Sequence, residues 1–133
     1  MTTLHLESEI AADPAAVWAL AGDFGGLDQW HPWVPDCRLS EDGKTRSIGS
    51  GAMEAIEVLA SWSDTAMTYT VEKSPMPLAN YRCTWTVAGG QGKTQLTVDA
   101  TFDAVGVPEE TAAAMLTGFF ETAFSTLSER LAG

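Results

Sequence analysis

Residues 108–131 read PEETAAAMLTGFFETAFSTLSERL, and their spacing decides the fold. Leu116, Phe119, Phe120, Ala123, Phe124, Leu127 and Leu131 stand three and four apart. That period gathers them onto one broad apolar face of an α-helix. Glu109 and Glu110 occupy the first turn and Arg130 the last, where the helix dipole favours each charge. The predicted helix is about 22 residues or ~33 Å long. An apolar face of that length needs a second layer to cover it.

Immediately upstream the period is two. Tyr81, Cys83, Trp85 and Val87 alternate with Arg82, Thr84 and Thr86. Leu96, Val98, Ala100 and Phe102 alternate with Thr97, Asp99, Thr101 and Asp103. With Gly89-Gly90-Gln91-Gly92 as the loop, the two runs predict a β-hairpin. Further back, Ala66–Lys73 reads as a strand with Met67, Tyr69 and Val71 on one face. Met53–Ala60, Thr45–Ile48 and Cys37–Ser40 read as three more, separated by Ser63-Asp64, Gly49-Ser50-Gly51 and Glu41-Asp42-Gly43. Ser74-Pro75-Met76-Pro77 must be a loop, because proline cannot donate to a ladder.

At the N-terminal end, Leu4, Leu6, Ser8 and Ile10 alternate with His5, Glu7 and Glu9, a strand with one dry face. Asp13-Pro14 then predicts a helix start, with Asp capping free N–H groups and Pro at the first helical position. Val17, Trp18, Leu20, Ala21 and Phe24 form its buried stripe, and Gly25-Gly26 ends it. A second short helix is expected around Leu27–Trp30, broken by Pro32 and Pro35. The order is therefore strand, two short helices, six strands and a long helix. It predicts one α+β domain over residues 1–133, a curved seven-stranded antiparallel sheet wrapped around the C-terminal helix. A bent sheet around a helix leaves room between the two layers for a ligand.

Composition narrows the function. Of 133 residues, 18 are acidic and 7 basic, for a formal net charge of −11. Such a chain repels the phosphates that supply most nucleic-acid affinity, so no nucleic-acid partner is expected. Anionic membrane surfaces are disfavoured likewise, and no run of ~20 apolar residues predicts a membrane span. Residues 1–10 carry acids and no basic cluster, unlike a signal peptide. Cytoplasmic localisation is the resulting expectation. Cys37, Cys83, His5 and His31 share no metal-ligand spacing, so neither metal nor cofactor is expected, and the cysteines read as reduced thiols. No G-x-S-x-G elbow or phosphate-binding glycine loop is present.

Several stretches resemble the helix-grip superfamily: the START-like, Bet v 1-like and polyketide cyclase/dehydrase-like proteins and the plant abscisic-acid receptors. Val17-Trp18, Phe24, Trp30 and Trp33-Val34-Pro35-Asp36-Cys37 resemble the receptors' first helix pair and second strand. Glu57-Val58-Leu59 with Asp64 is similar to their fourth strand and turn, and Asn80-Tyr81 to a later strand opening. The resemblance covers nearly the whole chain. It implies a gate loop at Gly49, Ser50 and Gly51 and a latch at Pro75, Met76 and Pro77. It implies pocket positions at Glu57, Tyr69, Tyr81, Cys83, Leu116, Phe120 and Phe124. Alternation independently places Tyr69, Tyr81 and Cys83 on the inner face. Pro35 stands where the receptors carry a ligand-pairing lysine, and Phe124 where they carry a polar side chain. Both departures point toward a neutral, apolar ligand.

Each candidate has a plainer alternative. Glu57, set among Ile56, Val58 and Leu59, is a pocket acid or base if it points inward, where desolvation would raise its pKa, or a solvated edge residue beside Glu54 if it does not. The hydroxyls of Tyr69 and Tyr81 orient a ligand or bond to backbone. Trp30, His31 and Trp33 form a cavity mouth with His31 as a proton donor, or a packed cap with His31 at the surface. Trp62 reads as a lone surface aromatic. Met53, Met67, Met76 and Met115 shape an adaptable cavity or simply fill core. The function expected is binding of a small hydrophobic molecule in an internal cavity. The alternatives are a polyketide cyclase- or dehydratase-type enzyme using Glu57 and Tyr81 as acid and base, and a homodimer-forming protein. No catalytic constellation is visible in the sequence.

Overall fold

The computed structural model describes residues 1–132. Strand β1 (Thr2–Ile10) leads into α1 (Pro14–Ala21) and a 3-10 turn at Leu27–Gln29. Six strands follow: β2 (Cys37–Leu39), β3 (Thr45–Ile48), β4 (Ala55–Trp62), β5 (Ala66–Lys73), β6 (Leu78–Gly90) and β7 (Lys93–Ala104). The chain closes with α2 (Glu109–Leu131). The strands form one sheet in the order β1-β7-β6-β5-β4-β3-β2, and every neighbouring pair is antiparallel. This is the α+β architecture expected from the order of periods, and the helix-grip fold that the resemblance implied. The second short helix is a single 3-10 turn.

Alternation explains the two-layer structure. Leu96, Val98, Ala100 and Phe102 of β7 and Cys83, Trp85 and Val87 of β6 are buried, while Gln95, Asp99 and Arg82 are exposed. Against them α2 turns Ala112, Leu116, Phe120, Ala123, Phe124 and Leu127. Breaks in register at Ile56/Glu57, Leu59/Ser61 and Ala79/Arg82 let β4 and β6 bend, as bulged strands do. The helix packs closest on β1, β7 and α1, so the curved β3–β6 region stands off from it.

Four local expectations are corrected. The α1 helix ends at Ala21 rather than at Gly25, because Trp18 folds back over Gly22: a Cβ there would lie 2.3 Å from the indole. Asp13 does not cap α1 with its side chain; its Oδ1 instead accepts the Gly92 N–H at 2.6 Å, tying the helix start to the β6–β7 hairpin. That hairpin is tighter than four residues. Gly89 and Gly90 pair with Thr94 and Lys93, and only Gln91-Gly92 turn, both with positive φ (56° and 79°). Met53 leaves β4 for a 3-10 turn at Gly51–Met53.

Candidate functional site

A cavity of about 560 Å³ lies where the sheet stands away from α2. Arg46 and Ile48 of β3, Ala55 and Glu57 of β4, Tyr69 of β5, and Tyr81 and Trp85 of β6 form its wall. Met115, Leu116 and Phe119 of α2 cover it. Leu27, Trp33, Val34, Pro35, Gly49, Met53, Ser74, Pro75 and Met76 complete the lining from the connecting segments. The volume is in the range of small-molecule sites, and apolar side chains dominate. A wider groove of about 660 Å³ lies between α1 and the Trp62 end of β4, but it is an open surface depression floored by Trp18 and Trp62.

The polar end of the cavity is a buried ion pair. Arg46 and Glu57 are cross-strand partners on β3 and β4. Arg46 Nε donates to Glu57 Oε1 at 2.7 Å, and Nη2 meets the same oxygen at 2.6 Å. Nη1 donates to the Phe24 carbonyl at 2.9 Å. The guanidinium carbon lies 4.3 Å from the Phe24 ring centroid and 4.8 Å from that of Tyr69, in cation–π range. Burial is the largest influence and opposes the Arg46 charge, but the attraction and hydrogen bond of Glu57, with Tyr69 and Cys37 beside it, together hold the guanidinium pKa above its ordinary value. Among the described residues no protein donor meets Glu57 Oε2.

Beside the pair stand the tyrosines. Tyr69 accepts the Trp85 Nε1–H on its hydroxyl at 3.1 Å. Burial pushes both hydroxyl pKa values well above the ordinary tyrosine range, with Cys83 the next cause, so both are neutral hydroxyls. Cys83 is fully buried opposite Tyr69, and burial pushes its thiol up to about 12. Such a thiol is an inert packing group.

The expected residues divide cleanly. Trp33, Glu57, Tyr69, Tyr81 and Leu116 line the cavity together, with Gly49 of the gate segment and Pro75 and Met76 of the latch segment. Ser50, Gly51 and Pro77 flank those segments without lining it. Cys83 and Phe120 lie behind the wall. Phe124 faces Leu6 and Ser8 on the β1 side. Met67 is buried in the core away from the lining. Sequence reading missed Ile48, Ala55, Trp85 and Phe119 in the lining, and above all the charged Arg46. Its only signal was the register that sets it opposite Glu57. Gly49 is itself pinned: Asp36 Oδ1 accepts its N–H at 2.8 Å and Arg38 Nη2 donates to its carbonyl at 2.8 Å, while Arg38 and Asp36 pair with each other.

His31 is a correction, and Trp62 is exposed as expected but not alone. His31 is buried, not at the surface. It stacks on Phe119 at 4.1 Å, bonds through Nε2 to the Phe119 carbonyl at 3.0 Å, and accepts the Trp33 N–H on Nδ1 at 3.1 Å. Both ring nitrogens are committed to holding the Trp33 segment on α2, so it is a neutral structural clamp. Trp62 stacks on Trp18 at 6.4 Å and donates to the Gly22 carbonyl at 2.8 Å, so it is a fixed lid on α1. Among the described residues no group of three His, Cys, Asp or Glu is placed to hold a metal, and no helix is long and apolar enough to cross a membrane.

The clamp predicts a pH dependence. Burial lowers the His31 pKa, partly opposed by the Phe119 bond. The unfolded chain therefore binds this proton more readily, and stability is lost as pH falls from about 6.5 toward the folded value. His5 acts oppositely, since bonds to Asp99 and Glu7 raise its pKa. Thermal midpoints from about pH 7.5 to 5 are expected to fall less steeply for His31→Gln than for the unmodified chain. Equal slopes would show that His31 is not held neutral.

The comparisons agree with the fold. The solved structure of the protein XoxI from Bacillus cereus is 28% identical, covers 98% of this chain and 96% of its own, and superposes with a TM-score of 0.92. A START superfamily protein from Mycobacterium smegmatis shares 16% identity at a TM-score of 0.80, over 97% of this chain and 96% of that one. Norcoclaurine synthase from Thalictrum flavum shares 14% at 0.71, over 98% and 93%. The latter two show the common fold. No curated protein matches the chain in sequence. Residues 1–132 match the profile described as polyketide cyclase / dehydrase and lipid transport, and the chain belongs to that family.

Proposed function

We propose that this chain binds a small, mostly neutral, hydrophobic molecule between the sheet and α2. One observation carries the reading: a cavity of about 560 Å³, mostly apolar, with a single polar end at Glu57 and the two tyrosines. Family and fold are consistent with it. The free thiols of Cys37 and Cys83 suit a reducing cytoplasm.

The test is uptake of an apolar fluorescent probe by the unmodified chain and by Ala55→Phe, which fills the cavity from β4. Probe affinity is expected to drop about tenfold or more in the variant, because one filled site removes most of the burial available. No uptake by the unmodified chain, or equal uptake by both, sinks the proposal.

A second reading is acid–base catalysis of the cyclase or dehydratase type, favoured by Glu57 and Tyr81 lining one cavity. Against it, Glu57 Oε1 is occupied by Arg46 and the Tyr81 proton is held tightly by burial. Unchanged turnover of a true substrate in both Glu57→Gln and Tyr81→Phe would end that reading. Self-association through the mouth is a third, supported by the exposed side chains of Trp33, Met53 and Met115. Sedimentation at high concentration decides it, a strict monomer counting against a dimer.

A further inference from the structure

We propose that the ligand presents a hydrogen-bond donor, a hydroxyl or an amine on an otherwise apolar body, to Glu57 and Tyr81 at the polar end of the cavity. This rests on the cavity-binding reading and specifies its chemistry.

The argument is an inventory of what each polar group there still has to offer. Arg46 is the obvious partner for an acid, yet it is walled off. Its Nε and Nη2 are spent on Glu57, its Nη1 on the Phe24 carbonyl, and the Phe24 and Tyr69 rings cover its plane. Its side chain is 4% exposed against 12% for Glu57, so the accessible part of the pair is the carboxylate. An ionised carboxylate only accepts hydrogen bonds. Trp85 Nε1–H is bound to Tyr69, and the Ser74 hydroxyl accepts the Met76 N–H. The Tyr81 hydroxyl has only the weakly bonding Cys83 thiol beside it, and as a neutral hydroxyl it can still both donate and accept.

The cavity therefore offers the Glu57 acceptor and the Tyr81 hydroxyl, with the O–H groups of Tyr69 and Ser74 as further neutral donors, and no free cation among the described residues. Arg38 and Lys73, the basic side chains bonded to the 49–51 segment, are engaged by Asp36 and Glu54. A ligand acid would meet the Glu57 charge with no compensating cation, and like charges at close range in a dry site repel strongly. A ligand hydroxyl would donate to Glu57 Oε2 and accept from Tyr81. An amine would donate to both oxygens.

Four probes sharing one ring system separate these cases: 2-naphthol, 2-(aminomethyl)naphthalene, 2-methylnaphthalene and 2-naphthoate, each titrated at pH 7 and 0.15 M salt. The hydroxyl or amine probe is expected to bind about tenfold tighter than 2-methylnaphthalene, since bonds to charged groups are the stronger class, and 2-naphthoate weakest of all. Tyr81→Phe is expected to weaken 2-naphthol severalfold and leave 2-methylnaphthalene unchanged. Arg46→Met combined with Glu57→Leu, which leaves no unpaired buried charge, is expected to level the donor and methyl probes. Binding of 2-naphthoate as tight as 2-naphthol, or an order that survives the double replacement, overturns the inference. If 2-methylnaphthalene binds without discrimination among the four, only the inference falls. If none of the four binds, the cavity-binding reading falls with it.

Discussion

Replacing Arg46 alone with methionine is expected to lower the unfolding free energy by about 3–5 kcal/mol, a large part of a typical domain's total. The side chain is almost wholly buried, and it is the only protein donor to Glu57 among the described residues. Its removal leaves a carboxylate in an apolar wall with nothing to balance it, and leaves the Phe24 carbonyl only the weak Cys37 thiol as a side-chain donor. The cost arises from the orphaned charge rather than from the pair being strongly stabilising in itself. The double replacement Arg46→Met with Glu57→Leu should therefore recover most of the loss, because matched apolar groups often equal or exceed a buried ion pair. Denaturant unfolding of the single and double variants measures this directly. A single variant within about 1 kcal/mol of the parent, or a double variant as unstable as the single, would mean the pair is solvated through the cavity.

The same pair marks the limit of what the sequence discloses. The β6–β7 hairpin and α2 are legible because long runs repeat one period: Tyr81 to Val87 and Leu96 to Phe102 alternate, and Leu116 to Leu131 recur every third or fourth residue. Arg46 lies in a four-residue strand beside Lys44, where a basic side chain reads as solvent-facing. Only the pairing register puts it opposite Glu57, and register across a short hairpin is a tertiary fact. His31 was obscured in the same way, since Pro32 and the flanking tryptophans suggest an exposed turn and its partner, the Phe119 carbonyl, lies 88 residues away. Asp13 shows propensity losing to a nearer donor: its local pattern is that of a cap, and the hairpin tip claims the carboxylate first. Phe124 belongs to the apolar stripe of α2, but that stripe is wider than the cavity. Its position along the helix, rather than its face, puts it against β1.

Phe120→Ala is expected to cost about 3–5 kcal/mol and, unlike most core truncations, to enlarge the binding site. Phe120 is completely buried, edge-on to Trp85 at 5.6 Å and to Phe119 at 5.6 Å. Both neighbours line the cavity while Phe120 stands behind them. Deleting its ring opens a void next to the existing space, separated from it only by side chains that can turn. An apolar probe too bulky for the parent cavity should then bind, and its binding should return part of the lost stability by mass action. Phe124→Ala is the control, because that ring faces Leu6 and Ser8 and its void would not join the cavity. Stability should fall there with no gain in probe size. Thermal midpoints with and without a series of lengthening apolar probes distinguish the two. Equal responses from both variants would mean that Trp85 and Phe119 seal the cavity from the core behind them, and that the space beneath α2 is set by the backbone of the bent sheet rather than by the rings that face it.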